Sequence, residues 1–171
     1  MSRSQITPSH PAVGLFDFTA TYMSIPAVEV RDAEHPYSLL AQEARTARAF
    51  HAEDPIPWVP YLAAGWNPRP WTHPGADPNH RRFFAFPTRA EWAEELKALK
   101  SDIQRYPHLG LPRSDGSRQP VVTIYAWNEF GEGGLVAPTQ GEGFMKLEAI
   151  HEVLSPRSAA APHSSETPQR Q

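Results

Sequence analysis

The run Val121-Val122-Thr123-Ile124-Tyr125-Ala126-Trp127-Asn128-Glu129-Phe130-Gly131-Glu132-Gly133-Gly134 passes from a continuous apolar segment into a polar, glycine-rich one. Its first part, through Ala126, is apolar and rich in β-branched residues, and reads as a buried strand. Its second part delivers two carboxylates, an amide and aromatic rings together at that strand's C-terminal end. In α/β folds this is the end where active sites are built. Glu129 and Glu132 are three residues apart, and two glutamates held close are the usual equipment for cleaving a glycosidic bond. The glycines among and after them allow φ > 0 or a close approach of backbone to a ligand.

Working outward, a helix is expected from about Glu142 to Leu154, with Phe144, Leu147, Ile150 and Leu154 on one face. Upstream, Thr88-Arg89-Ala90-Glu91 fits a capping box, in which the Thr caps the first turn and the Glu reaches back. Trp92, Leu96, Leu99 and Ile103 then recur at helical spacing as a stripe that should pack on a sheet. Pro107 and Gly110 end it. A second strand is expected over about Pro57 to Gly65, although Pro57 and Pro60 remove ladder donors. A long aromatic and proline-rich loop, Trp66 to Pro87, follows it. A first strand is expected over about Gly14 to Tyr22, and a first helix, rich in good helix formers, from Tyr37 to about Glu53. Only Leu40, Ala44, Ala47 and His51 mark a face on that helix.

Strands alternating with helices argue for parallel βα units. The expected fold class is α/β: the C-terminal portion, about three βα units, of a (β/α)8 TIM-type barrel, which when complete takes about 250 residues. On this reading residues 1–13 are an N-terminal extension, 14–154 the partial barrel, and 155–171 a polar, disordered tail. Such a chain would be a gene fragment, a truncated chain, or one piece of an enzyme encoded in parts. The alternative is a small open three-stranded domain, whose exposed edges would be an aggregation liability.

Bulk properties bound the function classes. A net charge of −3 over 171 residues gives no electrostatic case for nucleic acid or an anionic membrane. The absence of cysteine removes disulfides, thiol catalysis and cysteine–zinc sites. No run reaches the roughly 20 apolar residues of a membrane span, and no apolar segment of a signal peptide follows Met1–Gln5. The chain's compartment is left open. Proline is abundant at 19 residues, beside five Trp, five Tyr and eight Phe. The aromatics cluster near the proline-rich connections, as in a carbohydrate-binding cleft, though a loop-rich protein with an aromatic core would also show this.

At this point a family pattern is visible. Residues Val121 to Leu154 resemble the C-terminal catalytic segment of glycoside hydrolase family 99-like proteins. That group includes endo-α-mannosidases, endo-α-mannanases and bacterial glycosyltransferase-type proteins of polysaccharide biosynthesis. Its hallmark, an Asn-Glu-aromatic-x-Glu-Gly motif after a strand, stands here as Asn128-Glu129-Phe130-Gly131-Glu132-Gly133. Gly65-Trp66-Asn67-Pro68-Arg69-Pro70 is similar to the family's Gly-Trp-Asp-x-Arg-Pro segment, and Asp17-Phe18-Thr19-Ala20-Thr21-Tyr22 to its Asp-Ala-Val-Thr-Ala-Tyr strand. The resemblance implies a retaining enzyme acting on α-mannosides or related glycans, with no metal or other cofactor. It implies that Glu129 engages the sugar 2-hydroxyl as a base, assisting an internal attack through an anhydro-sugar-like intermediate. Glu132 would be the general acid/base at the glycosidic oxygen. Asn67 stands where the family commonly has Asp, and Ala137 where many members have Glu.

The candidate catalytic residues are therefore Glu129 and Glu132. A general acid must hold its proton before transfer, and two neighbouring carboxylates can push their proton affinities apart. Candidate substrate-binding residues are Tyr22, Trp66, Arg69, Trp127 and Asn128. Trp127 would stack on a sugar face or close the core. Asn128 would bind a hydroxyl, orient Glu129, or simply form a turn. Arg69 would pair with a catalytic carboxylate or bind a substrate oxygen, unless it is a surface arginine. Tyr22 would donate into the cleft or line the core. His73, Asp77 and His80 share a loop but lack metal-ligand spacing, so no metal is expected. The expected partners are an α-mannoside-like glycan and, if the barrel is incomplete, a chain supplying its missing half. Alone, the chain is expected to be inactive. A glycosyltransferase of surface-polysaccharide assembly and a non-catalytic carbohydrate-binding remnant are the alternatives, the former without any visible phosphate-binding loop.

Overall fold

The computed structural model describes residues 10–11, 13–29, 33–71, 73 and 81–155. Most of the expected N-terminal extension and almost all of the expected tail lie outside the described residues. In chain order the elements are β1 (Thr19–Ala20), β2 (Glu34–His35), α1 (Tyr37–His51), β3 (Trp58–Val59), β4 (Tyr61–Ala63), β5 (Phe83–Phe84), α2 (Arg89–Arg105), β6 (Leu111–Pro112), β7 (Arg118–Gln119), β8 (Thr123–Tyr125), β9 (Asn128–Glu129), β10 (Gly134–Leu135) and α3 (Met145–Leu154). A turn of 3-10 helix spans Arg69–Trp71.

The expected second strand is present as two short pieces, β3 and β4, divided at Pro60. Proline takes away a donor but keeps its carbonyl, and both prolines use it. Pro57 O accepts from Thr19 N at 2.8 Å, and Pro60 O accepts from Thr123 N at 2.9 Å. β1 runs parallel to β3, with Thr19 opposite Trp58. β8 runs parallel to β4, with Tyr61, Leu62 and Ala63 opposite Thr123, Ile124 and Tyr125. The segment around Pro60 therefore lies between the first and third expected strands, all parallel. Regular pairing is shorter than the apolar runs, and no pairing closes a barrel among the described residues. Three further two-stranded pairings had no clear sequence signal: β2–β5, β6–β7 and β9–β10.

The helices cover this sheet. α2 starts at Thr88, with both halves of the capping box formed. Trp92, Leu96 and Leu99 are fully buried in one core with Tyr37, Leu40, Leu62, Phe84, Tyr125, Ala149 and Val153. Burying a large apolar side chain of this kind contributes about 2 kcal/mol. Trp92 also donates its indole N–H to Lys146 O at 3.2 Å, tying α2 to α3. Tyr37 donates its hydroxyl to Ala63 O at 3.0 Å, tying α1 to β4. The α1–α2 seam is ionic. Arg48 Nη2 lies 2.8 Å from Glu95 Oε1, and Arg48 Nε lies 2.6 Å from Asp102 Oδ2. Arg48 is 0% and Glu95 1% exposed. At the end of α1, His51 stacks on Trp58 with ring centroids 4.5 Å apart. α3 begins three residues later than the Glu142 expected from sequence, because residues 139–144 form a turn in which Glu142 N donates to Thr139 Oγ1 at 3.0 Å. Among the described residues no helix is long and apolar enough to cross a membrane.

Candidate functional site

The site is assembled at the C-terminal end of β8. The Tyr125–Ala126 peptide is cis. Trp127 O then accepts from both Val136 N at 3.1 Å and Ala137 N at 2.9 Å. These bonds fold the intervening residues into an antiparallel hairpin, β9–β10, with Glu129 opposite Gly134 and Asn128 opposite Leu135. Glu132 N donates to Glu129 O at 3.1 Å and closes the tip. The two glutamates thus bracket one tight turn, with Glu129 exposed and Glu132 half-buried.

Two supports hold the turn. The first is β8 itself. Tyr125 donates its hydroxyl to Glu132 Oε2, and its ring lies against Gly134, where any Cβ would fall inside the ring's van der Waals envelope. The second is the segment after β4. Asn67 N donates to Glu132 O at 2.6 Å. Gly133, at φ +69°, fits beneath that segment, where an added Cβ would lie 2.8 Å from Asn67 N and Cβ. Burial pushes the Tyr125 hydroxyl well above the usual tyrosine range. The hydrogen bond and negative charge of Glu132 push it further, with smaller contributions from Tyr22 and Glu129. Tyr125 therefore stays a neutral phenol and acts as donor to the Glu132 carboxylate.

Two hollows flank the turn. One, of about 430 Å³, is a trough lined by Ala20, Thr21 and Tyr22 from the end of β1 and by Thr123 to Ala126 from β8. The other, of about 310 Å³, is lined by Asn67, Arg69, Pro70, Phe86, Phe130 and Gly133. Tyr125, the hydrogen-bond donor to Glu132, lines the first, and Gly133, the residue after Glu132, lines the second.

The expected site residues separate under this geometry. Tyr22 is 74% exposed and meets the Tyr125 ring edge-on at 4.9 Å. Trp127 is 58% exposed, which leaves its face open rather than in the core. Asn128 is exposed on β9. Two expectations change. Trp66 is 6% exposed and belongs to the core cluster, its ring 6.1 Å from that of Tyr125. It backs the site instead of presenting a stacking face, because its apolar ring follows β4 into the space beneath α2. Arg69 does pair with a carboxylate, but the carboxylate is Glu34, at 2.9 Å. Its Nε donates to Asn67 Oδ1 at 2.7 Å, and its guanidinium lies over the Phe83 ring at 4.7 Å. It therefore braces the Asn67 segment that carries Glu132.

Sequence reasoning missed Tyr125 and Glu34. Tyr125 read as strand bulk; its place as the last paired residue before the glutamate motif was the available signal. Glu34 gave none, since nothing in the sequence joins it to Arg69. Among the described residues no cluster of three or more His, Asp or Glu could hold a metal ion. Asp77 and His80 lie outside the described residues. Compared with known proteins, the chain matches no family model, no curated protein and no solved structure.

Proposed function

We propose that the chain is the C-terminal part, about three βα units, of a (β/α)8 barrel of the glycoside hydrolase family 99-like type, and that it acts on α-mannoside-like glycans through Glu129 and Glu132. The observation that carries this reading is a convergence. Three segments far apart in sequence, those holding Tyr22, Trp66 and Glu132, meet around the Tyr125 ring and hydroxyl. These are the same segments that resemble the family. The parallel order of the three strands, each followed by a helix, is the order that consecutive strands take in such barrels. Exposed Trp127 and Phe130 add apolar ring faces beside the carboxylates, the kind of surface on which a sugar stacks.

In this reading Glu129 engages the sugar 2-hydroxyl as a base and Glu132 exchanges the proton at the glycosidic oxygen. The outer sides of β1 and β8, unpaired among the described residues, would meet further barrel strands, from more chain or from a partner, and these would supply the rest of the cleft. Calorimetric titration with α-mannosyl oligosaccharides, run beside a reducing-end assay, tests the proposal. The expected result is weak binding, with Kd of about 1 mM, and little turnover by this chain alone. Absence of binding at tenfold higher concentration overturns the glycan reading, and substantial turnover overturns the partial-barrel part of it. The exposed aromatics also suit a carbohydrate-binding module without catalysis. The Glu129→Gln and Glu132→Gln variants separate the two by affinity: a pure binding module keeps it, whereas the catalytic reading expects Glu129→Gln to weaken binding by losing its contact with the sugar 2-hydroxyl.

A further inference from the structure

We propose that Tyr125 is the positioning residue for Glu132: its hydroxyl donates to the carboxylate and holds it in one rotamer beneath the hairpin. The inference rests on the functional reading only for its consequence in catalysis; the contact itself is a property of the fold. The Tyr125 ring has little freedom. Gly134 lies against one part of it, Tyr22 meets it edge-on at 4.9 Å, and Trp66 stands 6.1 Å away. A ring fixed in this way holds its hydroxyl at one point, and Glu132 Oε2 accepts from it there.

A donor aimed at a carboxylate oxygen fixes where that oxygen sits. The other charged or titratable groups around the turn do not replace Tyr125 in this role. Glu129, on the same hairpin, is an acceptor when ionised and offers no donor. Tyr22 contacts the Tyr125 ring. Arg69, on the segment after β4, is engaged by Glu34 and Asn67. Lys146, on α3, is engaged by Glu142 at 2.6 Å. A phenol also serves the opposite protonation state, because its oxygen accepts when the partner acid carries the proton. Tyr125 can therefore keep one Glu132 rotamer through both halves of an acid–base cycle by rotating a single O–H bond.

The test is site-resolved NMR on the whole chain, with the Glu132 side-chain carboxyl carbon and the Tyr125 ring carbon bearing the hydroxyl followed against pH. In the wild-type protein the two signals should move with one common midpoint. In Tyr125→Phe the Glu132 side chain should lose its single rotamer, read as averaged three-bond couplings about its Cα–Cβ bond, since the donor that holds it is gone, while Glu129 keeps its own couplings. Unchanged Glu132 couplings in that variant overturn the proposal. So does a Tyr125 signal that is indifferent to the Glu132 titration, and this wild-type measurement decides the matter if Tyr125→Phe does not fold. Neither readout involves a glycan, so loss of this pairing and failure of the functional reading are distinct results.

Discussion

At the scale of single residues, the site is built by what is left out as much as by what is present. Gly134 has no Cβ, and that space is filled by the Tyr125 ring. Gly134→Ala should therefore cost about 1–3 kcal/mol, as overpacking of a tight contact does, read as a lower urea midpoint with an unchanged m-value. It should also displace the Tyr125 hydroxyl from Glu132 Oε2, so that the Glu132 side chain loses its single rotamer. A neutral Gly134→Ala variant would show that the ring has room to move and that the turn is not held from below. The glutamates and the turn-forming glycines were legible from residue types and spacing alone, whereas the sequence left Trp127 between an open face and the core until the structure exposed it. Tyr125 was not, because a tyrosine ending an apolar run looks like any other strand residue until the hairpin folds back over it. Arg69 was legible as a charge that needs a partner, but its partner Glu34 lies 35 positions away and on a strand too short to leave a pattern.

At the scale of elements, the two N-terminal helices show where periodicity helps and where it fails. α2 was legible because its capping box and its stripe of Trp92, Leu96 and Leu99 are both strong and agree. α1 was poorly legible because its buried face consists of Tyr37, Leu40, three alanines and an arginine. Arg48 belongs to that face only because Glu95 and Asp102 meet it from α2, and a helix sequence carries no mark of a partner on another helix. Removing Glu95 leaves the buried Arg48 paired with Asp102 alone. Glu95→Ala should destabilise by about 3–5 kcal/mol, whereas replacing both partners, Arg48→Met with Glu95→Leu, should recover most of that loss. Thr88→Ala, which removes only the cap, should cost about 1 kcal/mol. Chemical denaturation of the three variants checks the ordering. If Glu95→Ala proves no worse than Thr88→Ala, Arg48 finds water or another acceptor, and the seam is held by its apolar residues instead.

At the scale of the whole molecule, the alternation of strands and helices was legible, and so was the parallel direction of the three strands that carry the site. Their pairing lengths were not. Apolar runs of six to nine residues form ladders of only two or three, because Pro57 and Pro60 interrupt donation and because apolar side chains remain buried beyond the ends of regular pairing. The outcome is a sheet with a covered centre and a thinly held margin. Ala64 is fully buried and donates to Tyr125 O at 2.6 Å, in the middle of the strand order. Thr19 donates to Pro57 O at 2.8 Å from β1, where Ala20 beside it is exposed. Hydrogen exchange should separate these two amides although both are bonded. Ala64 should exchange only through global unfolding. Thr19 should exchange through local opening of β1, faster by about 100-fold, equivalent to roughly 3 kcal/mol less opening free energy. Such a gap would mean that the margin of the sheet stands open in solution. Equal protection would mean that another strand covers β1 there, from further chain or from a second molecule, as a completed barrel requires.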